Sequence, residues 1–436
     1  MILRSFGTAY GFLKSFVTFP AFLFVLLWVG INTGPWVFRS TPQTLMEYIN
    51  YFRTLIPYID IGLVSLALIS VYRKKLLSFD ISVRMWFIYG MIALFSSLLS
   101  PHPFDASYWA FAYLSVFAVS KLFLTRKNTL SSVVSLNHLS WLMTTLFLFV
   151  ILAIYKDALI GQATGYGVVN RVHSDAMALP RASGVARFAA IPAIVGFVLM
   201  WNGRQFVVKL FWGTFFLFAA YLVYFMQSRG AIFGLAGTIV LVMAFMSRRV
   251  KLIGTFAVFL LFVGFVSDLA PSHLTDQIYE HIMRGQTTRE LESFTGRTRA
   301  WEHAWEAVWN SPVFGYGFQA DRWLIGEHVH DAYMYALMTA GFVGVIFFIL
   351  GYVFVWIRIF GLFRRIKTVR RLGQETLFVQ VVGIITFFTL RSIPEVSGAM
   401  YAVDFVVLIP AMLYLGVLRR EIRVAGRQKA AKKTYP

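Results

Sequence analysis

Apolar runs of about twenty residues recur from one end of this chain to the other, and nothing else constrains its fold as tightly. Each run can cross the hydrocarbon core of a bilayer as a helix. Hydrophobic residues make up 58% of the chain, more apolar surface than a soluble domain conceals. In lipid every backbone N–H and C=O must be satisfied within its own segment, so the runs are read as helices. Spans are expected at 16–38, 54–71, 83–100, 106–124, 137–157, 185–201, 206–226, 231–247, 250–267, 331–357, 376–396 and 401–418. The expected fold is all-α: a polytopic membrane bundle of about 12 transmembrane helices, with residues 1–436 as a single transmembrane domain. No small-residue cleavage site follows the first run, which is therefore read as a span and not a signal peptide.

The formal net charge is +20, from 40 Lys and Arg against 20 Asp and Glu. In a membrane protein, such a balance is tested against the positive-inside rule before nucleic acid is considered. With the N-terminus inside, the short basic linkers fall on one side: "RKK" (Arg73 to Lys75), "TRKN" (Thr125 to Asn128), "RRVK" (Arg248 to Lys251) and "RRIKTVRR" (Arg364 to Arg371). The tail "RREIRVAGRQKAAKK" (Arg419 to Lys433) joins them. This places 27 of the 40 basic residues inside and 13 outside. Topology and attraction to anionic lipid account for most of the charge, and no nucleic-acid partner is needed. The chain has no cysteine, which removes disulfides, thiolate metal sites and cysteine nucleophiles from consideration.

Two connections are long, and both are expected on the outer face. One runs from about Asp157 to Gly184 and ends in "LPRASGVARF" (Leu179 to Phe188). The other, 268–330, holds 9 of the 20 acidic residues. Within it, Trp301, Trp305 and Trp309 recur every four residues and so lie along one helical stripe, with Glu302 and Glu306 beside it. An amphipathic helix with an indole stripe belongs at a membrane–water interface. We therefore expect 268–330 to be an extracytoplasmic loop with an amphipathic helix, placed to line a cavity. No fixed-period repeat is evident, nor the inverted halves of a secondary transporter.

Charged residues in or beside spans are expensive and mark candidate functional positions. Arg229 lies at the outer end of the seventh span, in "QSRGAIFGL" (Gln227 to Leu235), with no acidic residue near it in sequence. Snorkelling to lipid headgroups is one reading; the small residues Gly230 and Ala231 favour another, the close approach of a ligand. Arg297 and Arg299 follow Gly296 at the start of the tryptophan-striped helix. A helix N-terminus and two guanidinium groups together suit phosphate, while pairing with Glu292 or Glu302 is the plainer alternative. Two residues apart, the arginines cannot share a face, and Arg297 is the one expected to face the cavity. Glu327, His328, His330 and Asp331 can be read as a metal cluster, but a His-x-His pair fixes no third ligand. His330 at the mouth of a span suits a general base. Arg391 and Glu395 lie four apart in the eleventh expected span, either as a structural couple or with Glu395 as a rival base. Arg187 is a further candidate for substrate contact, with Arg299, Gly296, Arg391 and Glu395. P-loop, dinucleotide, zinc-helix and nucleophile-elbow motifs are absent.

Several pieces come in one order: "SRGA" (Ser228 to Ala231), "GRTRAW" (Gly296 to Trp301), "SPVFGYG" (Ser311 to Gly317), "HVHDAY" (His328 to Tyr333) and "AGFVGVI" (Ala340 to Ile346). This order resembles the O-antigen ligase/polymerase superfamily of bacterial membrane glycosyltransferases, over about Gln227 to Phe348. Asp331 departs from the asparagine that many relatives carry there, and leaves open whether a carboxylate pairs with His330. The resemblance implies a metal-independent, inverting glycosyltransferase of the inner membrane, without a cofactor and with its active site facing the periplasm. Its donor would be an undecaprenyl-diphosphate-linked glycan, with Arg229 and Arg297 neutralising the diphosphate and His330 taking the acceptor's proton. The acceptor would be another lipid-linked repeat unit, as in Wzy-type O-antigen or exopolysaccharide polymerases, or the lipid A core of lipopolysaccharide, as in ligases. The compact stretch between Arg297 and His330 leans toward the polymerases. A polysaccharide flippase is the reading from another class, but it would line a central path with charge, whereas the charges here gather at one face.

Overall fold

The computed structural model describes residues 18–31, 33–39, 41–71, 78–164, 182–246 and 297–434. Among these residues every regular element is helical, with no strand, as the apolar runs require. The described residues form fourteen α-helices. They are α1 (Phe19–Gly30), α2 (Leu45–Val71), α3 (Ile81–Ser96), α4 (Pro103–Leu124), α5 (Thr129–Thr164), α6 (Ala182–Asn202) and α7 (Phe206–Phe225). After these come α8 (Arg229–Phe245), α9 (Arg297–Asn310), α10 (Ala320–Leu324), α11 (Ala332–Phe363), α12 (Ile366–Arg371), α13 (Glu375–Arg391) and α14 (Val403–Thr434). Seven of them are long and apolar enough to cross a membrane, and α1 and α8 are shorter apolar helices. Each expected span contains a helix except 250–267, which lies outside the described residues, as do 268–296 of the long loop.

The chain divides into two compact units: residues 1–143, 300–375 and 392–436 in the first, 144–299 and 376–391 in the second. In the first unit an aromatic core joins α3, α4, α11 and α14. Trp86 stacks on Phe348 at 5.4 Å and on Phe405 at 6.0 Å, and donates its indole N–H to the Phe348 carbonyl at 2.9 Å. Tyr113 stacks on Phe405 at 3.9 Å. Rings of this size bury the most apolar area per residue, and their polar tips still need acceptors. For three tyrosines those acceptors are loop carbonyls. Tyr352, Tyr113 and Tyr89 donate to the carbonyls of Ser397, Gly398 and Ala399, so the core fastens an irregular turn between α13 and α14.

A second irregular segment, "SPVFGYG", is held by a break in α11. The helix contains Gly341 at φ 63°, ψ −168°, outside helical geometry. The break frees carbonyls one turn earlier, and the loop takes them: Tyr316 N–H donates to Met338 O at 2.9 Å and Gly317 N–H to Thr339 O at 2.8 Å. In return Phe342 N–H donates to Pro312 O at 2.7 Å. Backbone groups at this depth must be satisfied by protein, and the exchange satisfies both partners. Only glycine permits the approach, since a β-carbon on Gly315 would stand 2.5 Å from Met338 O.

The second unit is built on the α6–α7 pair, α8 and α13. Gly196 of α6 admits the backbone of α7 at Phe216, and Gly383 of α13 admits Ile194 of α6 and Val242 of α8. Small residues at such crossings let membrane helices approach closely.

Candidate functional site

The residues nearest to chemistry in the first unit sit on the connection from α10 to α11 and on the turn after α13. Val329, fully buried, is clamped on both sides: Trp301 of α9 donates its indole N–H to the Val329 carbonyl at 2.7 Å, and Val329 N–H reaches Asp321 Oδ2 at 3.4 Å. The next residue, His330, has φ +50°, a left-handed conformation that costs a non-glycine residue about 1–3 kcal/mol. Asp331 then caps α11, its Oδ1 accepting from Met334 N–H at 2.6 Å. That capping role answers the question Asp331 raised. The carboxylate facing His330 belongs to Glu395, whose Oε2 lies 3.5 Å from His330 Nδ1. His330 Nδ1 is itself buried and has no hydrogen-bond partner among the described residues.

His328 stacks on His330 with ring centroids 4.6 Å apart. Its Nδ1 accepts the His330 backbone N–H at 3.0 Å, so the neutral ring carries its proton on Nε2. Asp321 Oδ2 is 3.7 Å from the same nitrogen. An accepting nitrogen cannot also donate to that oxygen, so the 3.0 Å bond defines the geometry and the longer contact is proximity. Asp321 is 1% exposed, and burial pushes its carboxyl up to about 6, opposed by Arg322, the two backbone N–H donors and His330. Sequence reasoning missed Asp321. Among the described residues no group of three or more His, Asp or Glu is arranged to hold a metal ion.

The eleventh expected span requires a correction. α13 ends at Arg391, and Ser392 to Glu395 form a turn. Arg391 and Glu395 therefore do not share a helical face. Pro394 explains the stop, because it lacks an N–H and drives the preceding residue out of helical geometry. Arg391 lies in the second unit and is 3% exposed; Glu395 lies in the first.

Arg229 opens α8, half-buried, behind Ser228 at the N-cap and Gln227 at φ +50°. Arg297 is the first residue of α9 and half-buried, whereas Arg299 is exposed. Arg187 is half-buried on α6. Gly296 lies outside the described residues. The tryptophan stripe forms as expected on α9, beside the buried stripe of Ala300, Ala304 and Val308. Trp305 and Trp309 are exposed and meet edge to face at 5.7 Å, while Trp301 turns to the His330 loop.

Comparison with curated proteins finds no match. Residues 213–349, from within α7 into α11, match the family model Wzy_C, described as O-Antigen ligase. That stretch includes Arg229, Arg297, Arg299 and His330, and excludes Arg187, Arg391 and Glu395. Over that stretch, about a third of the chain, the sequence is similar to the O-antigen ligase domain, and the match supports a relation to the O-antigen ligase/polymerase superfamily.

Proposed function

We propose that the chain transfers a glycan from an undecaprenyl diphosphate to the hydroxyl of an acceptor sugar, at the periplasmic face of the inner membrane. The observation that carries this reading is His330, held in a strained backbone geometry between two fastened neighbours, with one ring nitrogen buried against a carboxylate. Strain of this kind concentrates where a side chain must be aimed.

In the reaction, the acceptor oxygen attacks the anomeric carbon while its proton passes to His330. The bond from that carbon to the diphosphate oxygen breaks, and the leaving diphosphate takes the electron pair. Attack from the opposite face inverts the configuration. Arg229 and Arg297 are assigned to the diphosphate, since guanidinium can hold phosphate oxygens through two parallel hydrogen bonds. Each begins a helix, where backbone N–H groups add to the attraction for an anion. Preorganised charge at a leaving group is worth roughly 3–4 kcal/mol per donor. With arginines in that role, no divalent metal is needed. Arg299, Gly296, Arg391 and Arg187 remain proposed contacts around the substrates. A second lipid-linked repeat unit is the favoured acceptor, on the compact stretch between Arg297 and His330; lipid A core is the alternative.

The test is purified protein assayed with the undecaprenyl-diphosphate-linked glycan of its own cell, with and without EDTA. His330→Ala should abolish transfer and leave donor binding intact, and EDTA should have no effect. Full transfer by His330→Ala, or loss in EDTA that divalent metal restores, would overturn the mechanism.

A further inference from the structure

A histidine base works through one ring nitrogen, and what holds the other decides which one. Around His330 the second nitrogen is well defined. Among the described residues Nδ1 is buried without a hydrogen-bond partner, and the Glu395 carboxylate stands 3.5 Å from it. The ring as a whole keeps 31% of its side-chain surface open. We infer that Glu395 is a positioning residue for glycan transfer: its carboxylate holds the Nδ1–H of His330 and leaves Nε2 as the nitrogen that receives the acceptor's proton. This rests on the reading of His330 as the base.

The segment that carries Glu395 is built to keep it in place. Ala332 N–H donates to Ser392 O at 3.0 Å, and the hydroxyls of Tyr333 and Ser392 meet at 3.1 Å, which ties the turn to the start of α11 beside His330. Ser397 N–H donates to the Glu395 carbonyl at 2.8 Å. Three tyrosines from three helices hold the carbonyls of Ser397, Gly398 and Ala399, and Gly398 N–H donates to Asp404 Oδ2 at 3.1 Å. An irregular segment is tolerated between membrane helices where protein buries it or it lines a cavity. This one has both its ends fixed and a carboxylate between them. Trp301 and Asp321 fix the histidine side in the same way. The 3.5 Å separation exceeds a hydrogen bond, as catalytic pairs commonly do before substrate closes them.

The chemistry follows from the pair. A carboxylate beside Nδ1 favours the neutral tautomer with its proton there, so the lone pair sits on Nε2. When the acceptor hydroxyl gives its proton to Nε2, the ring becomes a cation that already faces Glu395. Among the described residues the other groups facing His330 are few. His328 is stacked and neutral as an acceptor, Asp321 of α10 lies beyond it with Arg322 alongside, and Asp331 is turned to Met334 N–H.

The test is the pH profile of kcat for transfer by the purified full-length protein, using its own undecaprenyl-diphosphate-linked glycan, with KM for the donor measured alongside. Glu395→Gln removes the charge and keeps the shape. We expect kcat to fall about 10–100-fold, as for loss of a partner that orients a histidine. The midpoint of the acid limb should move to lower pH, because the glutamine amide no longer offers a negative charge to the imidazolium formed in the reaction. Donor KM should stay within about twofold, and a purely structural role would not move the midpoint. Glu395→Asp restores a carboxylate one methylene shorter, so its midpoint should return toward wild type, and it supplies the measurement if the glutamine variant fails to insert. Wild-type kcat and midpoint in Glu395→Gln, with His330→Ala inactive, would overturn the positioning role and leave His330 as the base. Activity in His330→Ala with Glu395→Gln inactive would overturn both and make Glu395 the base.

Discussion

Gly341→Ala should be among the most damaging single-methyl additions the chain can receive. Two costs arise at once. At φ 63°, ψ −168° the residue occupies a region that only glycine enters freely, which costs alanine about 1–3 kcal/mol. The new β-carbon would also meet the Val313 carbonyl and stand 2.5 Å from Phe314 N, both backbone and unable to rotate aside. Relief means displacing the loop, which breaks the bonds from Phe342 N–H to Pro312 O and from Gly317 N–H to Thr339 O. Buried groups left unpaired cost about 1–3 kcal/mol each. The sum is on the order of 4 kcal/mol or more, and at roughly 2–4 °C per kcal/mol the apparent Tm should drop by about 8 °C or more. Gly361→Ala in the same helix, where a β-carbon meets nothing within 4 Å, is the control and should be neutral or slightly stabilising. The assay is heating of detergent-solubilised protein followed by size-exclusion chromatography. A Gly341→Ala midpoint within about 2 °C of wild type, alongside an unchanged Gly361→Ala, would refute the account of the α11 break.

Three further outcomes are expected. Arg229→Lys keeps the charge but loses the two-pronged geometry, so transfer should fall at least about tenfold with normal membrane insertion; a wild-type rate would remove Arg229 from the diphosphate. Glu280→Cys, in a chain without cysteine, should be labelled by an impermeant reagent on intact cells whose outer membrane admits it. Labelling only after the inner membrane is broken would reverse the topology. Asp321→Asn should flatten the pH dependence of stability between about pH 4 and pH 6. There the folded state binds the carboxyl proton and the unfolded chain has released it, so wild-type stability falls as pH rises, by at most about 3 kcal/mol. Identical slopes for both proteins in that window would show that Asp321 is not protonated on folding.

The apolar runs made the helices legible, since length and hydropathy report directly on what a bilayer accepts. They do not report where a helix stops inside such a run. The expected span 16–38 yields a helix only to Gly30, because Gly34 and Pro35 follow, and the eleventh stops at Arg391 ahead of Pro394. That second stop matters most for the site. Spacing arguments of the i, i+4 kind presuppose a continuous helix, so Arg391 and Glu395 read as one face and Glu395 as a competitor of His330. Once the helix ends, Glu395 is free to turn toward a residue 65 positions earlier, and the two rivals become a pair.

Trp301 and Asp321 show a different limit. The tryptophan stripe reads correctly as a helix face, but an indole N–H turned inward needs an acceptor, and no pattern in the sequence says that Val329 O supplies it. Asp321 looks like any acid in a polar loop until its burial is known. Both act through backbone atoms of the segment before His330, and a backbone acceptor or donor leaves no trace in residue identity. What the sequence could carry was the glycine at each close approach. Gly315 and Gly341 stand in the two motifs "SPVFGYG" and "AGFVGVI", where the loop and the broken helix exchange hydrogen bonds. The motif spacing thus records a backbone contact, and through it the start of α11, where His330 is aimed.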